Sequence, residues 1–334
     1  MSEAVPMVEV TRGGMVESIH RGHAVVWDAS GGLVRAWGNP GLVMYPRSSC
    51  KMIQALPLVE SGAADAAGLE TRHLALACAS HNGAAIHSDL AAQWLAGLGL
   101  GEPDLRCGPQ EPADIPARDA LIRAGETPCQ LHNNCSGKHS GFLTLNRHLG
   151  GGSEYHETDH VVQKAVRAAF EEVTGVESPG YGIDGCSAPN FATTLEGLAR
   201  AMAYCAAARE GQGTRETAAA RLVQAMSAHP ELVAGEGRAC TALIRAMQGR
   251  GVVKTGAEGV FVAILPERGL GVALKIEDGT TRGAETAIAT ILAGLGVLDP
   301  SNPVAQSYLN TPITSRRGLA AGAIHPTAAL TSGW

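Results

Sequence analysis

The sequence predicts a mixed α/β (α+β) fold: a largely antiparallel sheet flanked by helices, with a helical lobe inserted between its early and late strands. Two observations carry this. Period-two alternation of apolar and polar residues is concentrated in residues 5–45 and 250–278, while helical composition dominates 48–248 between them. A third, the amphipathic segment 281–295, closes the second strand block with a terminal helix. With 334 residues the chain can bury a large core, and 1–334 is read as a single enzyme unit.

Taken in order, residues 8–11, 24–27 and 33–37 alternate, and Asp28-Ala-Ser-Gly-Gly32 supplies a turn, which together read as a β-meander. Tyr45-Pro46 breaks the extended pattern and sets Ser48 at or near a helix N-terminus. Helices are expected over 86–98, 116–124, 138–148, 157–173, 194–208, 215–227 and 237–247, separated by Gly- and Pro-containing turns. Strand signals return at Val252-Val253, 259–265 and 270–276. The tail after Pro300, rich in Thr, Ser, Gly and Ala, is expected to be loosely held.

Composition narrows the function. Hydrophobic residues at 45% and charged residues at 17% suit a globular enzyme, whereas aromatics at 4% supply no base-stacking platform. A net charge of −6 with no basic cluster argues against nucleic acid as a partner. Met1-Ser2-Glu3-Ala4-Val5 has no charged region leading into an apolar core, and no stretch stays apolar for about 18 residues, so a cytoplasmic protein with no membrane partner is expected. The eight cysteines then read as buried thiols or metal ligands, not as disulfides.

Lysine is scarce, with five copies against 21 arginines, and three of the five sit in short motifs. Arginine supplies ordinary solvated charge, so a lysine is wanted where an amine must be able to lose its proton. In Ser48-Ser-Cys-Lys51 the serine and lysine are three positions apart, which on a helix puts them on one face. An amine so placed can activate the hydroxyl as a nucleophile. By itself the spacing is weak, arising by chance roughly once in four such chains, and it reads equally as a helix cap followed by a surface lysine. Ser80-His81-Asn82 groups a hydroxyl, an imidazole and an amide, or else forms a polar turn capping the next helix. Lys254-Thr-Gly256 falls on a predicted strand.

Ser-x-x-Lys, then Ser-x-Asn, then Lys-Thr-Gly is the order found in serine β-lactamases and penicillin-binding proteins, and the resemblance implies their fold. It implies Ser48 as nucleophile, Lys51 as its base, and Ser80 with Lys254 as a second pair. Two further strings depart from that pattern: His132-Asn-Asn-Cys135-Ser-Gly-Lys138-His139 and Tyr181-Gly-Ile-Asp184-Gly-Cys186-Ser-Ala-Pro-Asn190. Two thiols among small residues suggest a Zn²⁺ pocket, with Cys135, His139 and Cys186 as the ligands that residue chemistry alone selects. Two buried free cysteines are the plainer alternative.

At this length of shared motif the chain resembles the rhizobial-type, class 3 L-asparaginases, the thermolabile asparaginase II family. The likeness rests on Tyr45-Pro-Arg-Ser48-Ser-Cys-Lys51, Ala79-Ser80-His-Asn-Gly83, Asn133-Asn-Cys135-Ser-Gly-Lys138-His-Ser-Gly141, Gly182-Ile-Asp-Gly-Cys186-Ser-Ala-Pro189 and Lys254-Thr-Gly256. It implies a homodimer with the serine β-lactamase-like fold that hydrolyses L-asparagine through the tandems Ser48/Lys51 and Ser80/Lys254. It also revises the zinc ligands to Cys135, Lys138 and Cys186. The expected substrate-binding residues are then Arg47, His81, Asn82, His139 and Asp184, with Arg47 meeting the α-carboxylate and Asp184 the α-ammonium. Competing readings are a glutaminase, a β-lactam- or peptide-processing Ser-Lys hydrolase, and a zinc-stabilised protein that binds an amino acid without turning it over.

Overall fold

A computed structural model describes residues 3–334. The chain forms two compact units: a sheet unit made of the residues up to Ser49, Thr194–Ala207 and Ala242–Trp334, and a helical unit made of Cys50–Thr193 and Ala208–Thr241.

Among the described residues the main sheet of this unit has eight strands: β1 (Val5–Arg12), β2 (Met15–Asp28), β3 (Gly32–Trp37), β4 (Val252–Gly256), β5 (Val260–Leu265), β6 (Leu270–Ile276), β7 (Thr311–Thr314) and β8 (Ala320–Pro326). Their order is β7-β8-β1-β2-β6-β5-β4, with β3 paired to β2, and the pairings are antiparallel. The six residues of β5, Val-Phe-Val-Ala-Ile-Leu, are all buried, which an unbroken apolar run requires of a strand covered on both faces. Helix Thr281–Gly294 closes the block, burying Ala287, Ile288, Ile291 and Leu292 along one stripe against β5 and β6. Each of the buried Ile and Leu side chains in that stripe contributes about 1.5–3 kcal/mol.

The largely antiparallel sheet with its terminal helix is the architecture the two strand blocks predict, with three differences. The second strand begins at Met15, not near residue 24, because its first half pairs with β1 before the second half takes β3 and β6 as neighbours. Helix Leu195–Ala207, expected in the helical lobe, belongs to the sheet unit and lies across β2 and β6. Helical periodicity records that Leu195, Leu198 and Met202 are buried but not which element buries them. The tail after Pro300 is not loose: β7 and β8 form a hairpin whose β8 pairs with β1 from Val8↔Pro326 to Arg12↔Gly322. The pairing partner, a chain length away, overrides the loop-like composition.

In the helical unit, helix Ser136–Leu149 is buried from Ser136 through Asn146, polar residues included, and it packs on Thr71–Ala77 and Ala85–Gly97. Residues 78–84 link those two helices as irregular chain, with Gly83 at φ of +77°. That link is held by Ser80 N–H to Val233 O at 2.9 Å and Asn82 N–H to Ala234 O at 3.0 Å. Among the described residues no helix is long and apolar enough to cross a membrane.

Candidate active site

The predicted site residues divide between the units. Arg47, Ser48 and Lys254 belong to the sheet unit; Lys51, Ser80, His81, Asn82, Cys135, Lys138, His139, Asp184 and Cys186 belong to the helical unit.

Arg47–Cys50 forms a single 3₁₀ turn, followed in the sequence by helix Lys51–Gln54, so Ser48 does stand at a helix start. The two serines are not equivalent. Ser49 is fully buried and its hydroxyl donates to Pro46 O at 2.7 Å, whereas Ser48 is half-buried. Arg47 enters the turn with φ of +53°, a left-handed conformation that costs a residue with a Cβ about 1–3 kcal/mol. Its guanidinium lies 3.9 Å from the carboxylate of Glu258, a neighbour no sequence motif marks. Arg47 also lines a cleft of about 510 Å³ with Tyr45, Glu258, Lys275 and Glu277.

Lys-Thr-Gly ends β4, as its strand signal requires. Lys254 is wholly buried and donates to Thr255 O at 2.8 Å. The glycine has a steric reason: a Cβ on Gly256 would meet Pro46 O at 2.7 Å and Ser49 N at 3.2 Å. Backbone contact therefore sets the Lys254 strand beside the Ser48 turn, and only glycine permits that approach.

In the helical unit, the buried Lys51 amine donates to Ala79 O and to Asn134 O, the latter at 3.2 Å. Two backbone carbonyls thus take two of the donor positions on this nitrogen and leave its remaining position for another partner. Ser80, next to the Ala79 carbonyl in the chain, is likewise buried.

His81 and Asn82 hold the 78–84 link together. Gly83 N–H donates to His81 Nδ1 at 3.1 Å, which leaves Nε2–H to donate to Ser136 Oγ at 3.0 Å. Burial, reinforced by the charge of His87 stacked on it at 4.6 Å, pushes the His81 pKa well down. Asn82 accepts from Ala84 N–H at 3.3 Å and donates to Asp114 at 3.4 Å.

The two cysteine strings converge. Asn133 Oδ1 accepts from Cys135 N–H at 2.8 Å while its amide donates to Cys107 O and Gly108 O, each at 3.0 Å, fixing the turn that opens helix Ser136–Leu149. A Cβ on Gly137 would meet Leu76 O at 2.3 Å, so the glycine lets this helix start press against helix Thr71–Ala77. Lys138 Nζ sits 3.0 Å from Cys186 Sγ. A hydrogen bond from Cys135 and the Lys138 ammonium hold the Cys186 thiol well below the usual range despite burial. The same bond and burial push Cys135 up. Burial opposes the Lys138 charge, but Cys186 and Cys135 outweigh it and raise its pKa, with Asp184 adding to them.

Two sulfurs and an amine grouped around Cys186 are a donor set that suits Zn²⁺ once the amine and thiols have given up their protons. Among the described residues no three His, Cys, Asp or Glu side chains gather as a metal site, so Lys138 is the third donor this cluster can offer. The residues fit the ion. Asp184 is half-buried in the turn between Ile183 and Ala188, with Ser187 at φ of +69° following Cys186.

His139 is not in the thiol cluster's hydrogen bonds. It is fully buried, with Nδ1 2.8 Å from the Tyr155 hydroxyl, and burial followed by the Lys138 charge pushes its pKa well down. Tyr155 was invisible to motif reading: it is an isolated aromatic in a polar, glycine-rich stretch, and only its apolar character hinted at burial.

A family model described as L-asparaginase II matches residues 8–326. No curated protein matches the chain. Among solved structures, a β-lactamase from Mycobacterium bovis is 14% identical with a TM-score of 0.47, over 83% of this chain and 95% of that one. A structure of Mglu in its native form is also 14% identical with a TM-score of 0.47, over 84% of this chain and 67% of the other.

Proposed function

The chain belongs to the L-asparaginase II family, and from that premise we propose that it hydrolyses the side-chain amide of L-asparagine to L-aspartate and ammonia. The observation that carries the reading is that the matched span, residues 8–326, contains every one of the Ser, Lys and Cys motifs.

In this reaction Ser48 Oγ attacks the amide carbonyl carbon while Lys51 takes the hydroxyl proton on its free lone pair. The C–N bond breaks, the proton passes through Ser80 and Lys254 to the leaving nitrogen, and ammonia departs. Water then attacks the resulting ester, the Ser48 oxygen recovers a proton, and L-aspartate is released. Arg47 pairs with the substrate α-carboxylate and Asp184 with its α-ammonium. The two carbonyls around Lys51 support its role, since they take two positions on its nitrogen and leave the remaining one for the proton it must accept.

Cys135, Lys138 and Cys186 would hold the Zn²⁺, which would supply a fixed positive charge that shapes the pocket and holds substrate. Because the Ser-Lys pairs already make the nucleophile, chelation should raise KM more than it lowers kcat. A complete loss of kcat at saturating asparagine in folded, metal-depleted protein contradicts that role. The proposed working form is a homodimer, to be read from the mass in solution.

Ammonia release from asparagine and from glutamine, by wild type and Ser48→Ala, tests the reading. Turnover of asparagine by wild type alone is expected, with glutamine disfavoured by about 1–3 kcal/mol for its extra methylene. Turnover by Ser48→Ala removes the nucleophile assignment. Asparagine binding without ammonia from wild type makes the protein a binder, and turnover of a chromogenic β-lactam in its place makes it a β-lactam hydrolase.

A further inference from the structure

We propose that Tyr155 is a positioning residue that fixes His139 as its Nε2–H tautomer, so that His139 offers a hydrogen-bond donor to an acceptor oxygen of the bound amino acid. The ligand part of this inference rests on the proposed function; the tautomer part does not.

The argument is a count of protons. Both side chains are wholly buried. The Tyr155 hydroxyl oxygen lies 2.9 Å from Arg106 N and 2.8 Å from His139 Nδ1. A backbone N–H can only donate, so the oxygen accepts from Arg106 and its own proton is free for one other partner. Nδ1 is that partner, and it therefore accepts. In the reverse arrangement Nδ1–H would donate to the same oxygen and leave the phenolic proton buried without an acceptor, at about 1–3 kcal/mol. A doubly protonated ring meets the same objection. The ring proton of His139 is consequently on Nε2.

That Nε2–H is buried and has no partner among the described residues. Ring rotation does not relieve it, because the imidazole is wedged edge-on between Phe142 and Tyr155, with centroids 5.7 and 5.5 Å away. A buried donor without an acceptor is a standing deficit that a ligand oxygen removes. The α-carboxylate and the side-chain carbonyl of asparagine, and both carboxylates of aspartate, are acceptors of that kind. A protonated amine is not. The sign of the contact is thus set by a tyrosine that need not touch the ligand itself.

The test uses the 334-residue chain labelled with ¹⁵N-histidine, the His139 resonances being identified by their loss in His139→Gln. Long-range proton–nitrogen correlation in the wild type should show Nε2 protonated and Nδ1 bare, and saturating L-aspartate should shift the Nε2 resonance. In Tyr155→Phe the two tautomers should both be populated, KM for asparagine should rise about tenfold, and kcat should stay within about threefold, the effect of one lost hydrogen bond in binding. A merely structural tyrosine would lower the melting temperature and leave the tautomer and the KM-to-kcat split unmoved. A proton on Nδ1 in the wild type, an Nε2 resonance indifferent to L-aspartate, or an unchanged KM in a folded Tyr155→Phe each overturns the proposal. If wild type releases no ammonia from asparagine, the proposed function fails, while the wild-type spectra still decide the tautomer and its response to L-aspartate. Those spectra also decide it should Tyr155→Phe not fold.

Discussion

Lys138 Nζ lies 3.0 Å from Cys186 Sγ, and each of these residues is only 3% exposed. A thiolate and an ammonium at that depth stabilise one another, and neither has water to replace its partner. The pair accounts for the burial of Lys138, one of three buried lysines beside Lys51 and Lys254.

Lys138→Met should therefore destabilise the metal-free protein by about 1–3 kcal/mol, because it leaves the buried Cys186 sulfur without its hydrogen-bonding ammonium partner. Lys138→Met combined with Cys186→Ala should recover much of that loss, since the sulfur is then gone as well. Urea unfolding in the presence of chelator measures the double-mutant cycle. Additive losses in the double variant would show that the two side chains do not interact.

Ser48 and Ser49 make an internal control. The Ser49 hydroxyl is already committed to Pro46 O at 2.7 Å, so Ser49→Ala should lose about 1 kcal/mol of stability and keep kcat within a few-fold. Ser48→Ala should do the opposite, abolishing ammonia release with the melting temperature nearly unchanged. Steady-state kinetics alongside calorimetry reads both, and an inactive Ser49→Ala with an active Ser48→Ala reverses the assignment.

Gly256→Ala pushes a methyl group to 2.7 Å from Pro46 O and 3.2 Å from Ser49 N, so the turn carrying Ser48 has to move. We expect about 1–3 kcal/mol of lost stability and a fall in kcat/KM of roughly tenfold or more, since small displacements of a reacting group are costly. Kinetics of the variant at a temperature where it remains folded checks this. Wild-type kcat/KM in Gly256→Ala would mean that the strand and the turn are not mechanically linked.

Much of this was legible in the residues, and the parts that were not share a cause. The strand signal at Lys254-Thr-Gly256, the helix start at Ser48 and the helices bounded by Ala85–Gly97 and Thr214–Ala228 are local facts, set by periodicity and turn chemistry. The β7–β8 hairpin is not local: Thr, Ser, Gly and Ala form strands there because β1 offers them a ladder. The proposed ligand set Cys135, Lys138 and Cys186 rests on family likeness, since residue chemistry alone prefers an imidazole; in the structure Lys138 meets Cys186 and His139 turns its Nδ1 to Tyr155. Tyr155, Glu258 and the carbonyls of Ala79 and Asn134 carry no motif at all; they matter by where folding puts them.

Stability should fall on mild acidification, and the stacked pair His81 and His87 supplies the reason. Their rings lie 4.6 Å apart and 5° from parallel. Burial, and for His81 also the charge of His87, pushes both below the ordinary value of 6.5. An unfolded histidine takes up a proton as the pH drops through that value, while the folded pair refuses it. The unfolded chain then binds more protons, so this contribution is fully present above about pH 6.5 and is lost progressively below it. Each histidine adds at most ~1.4 kcal/mol per pH unit, together ~2.7 kcal/mol. The melting temperature should therefore drop between about pH 7.5 and about pH 5.5, with proton uptake on unfolding that is smaller by about one in His87→Gln. Calorimetry in buffers of different ionisation enthalpy counts those protons. An uptake identical in wild type and variant would mean that His87 titrates in the folded protein as freely as in water.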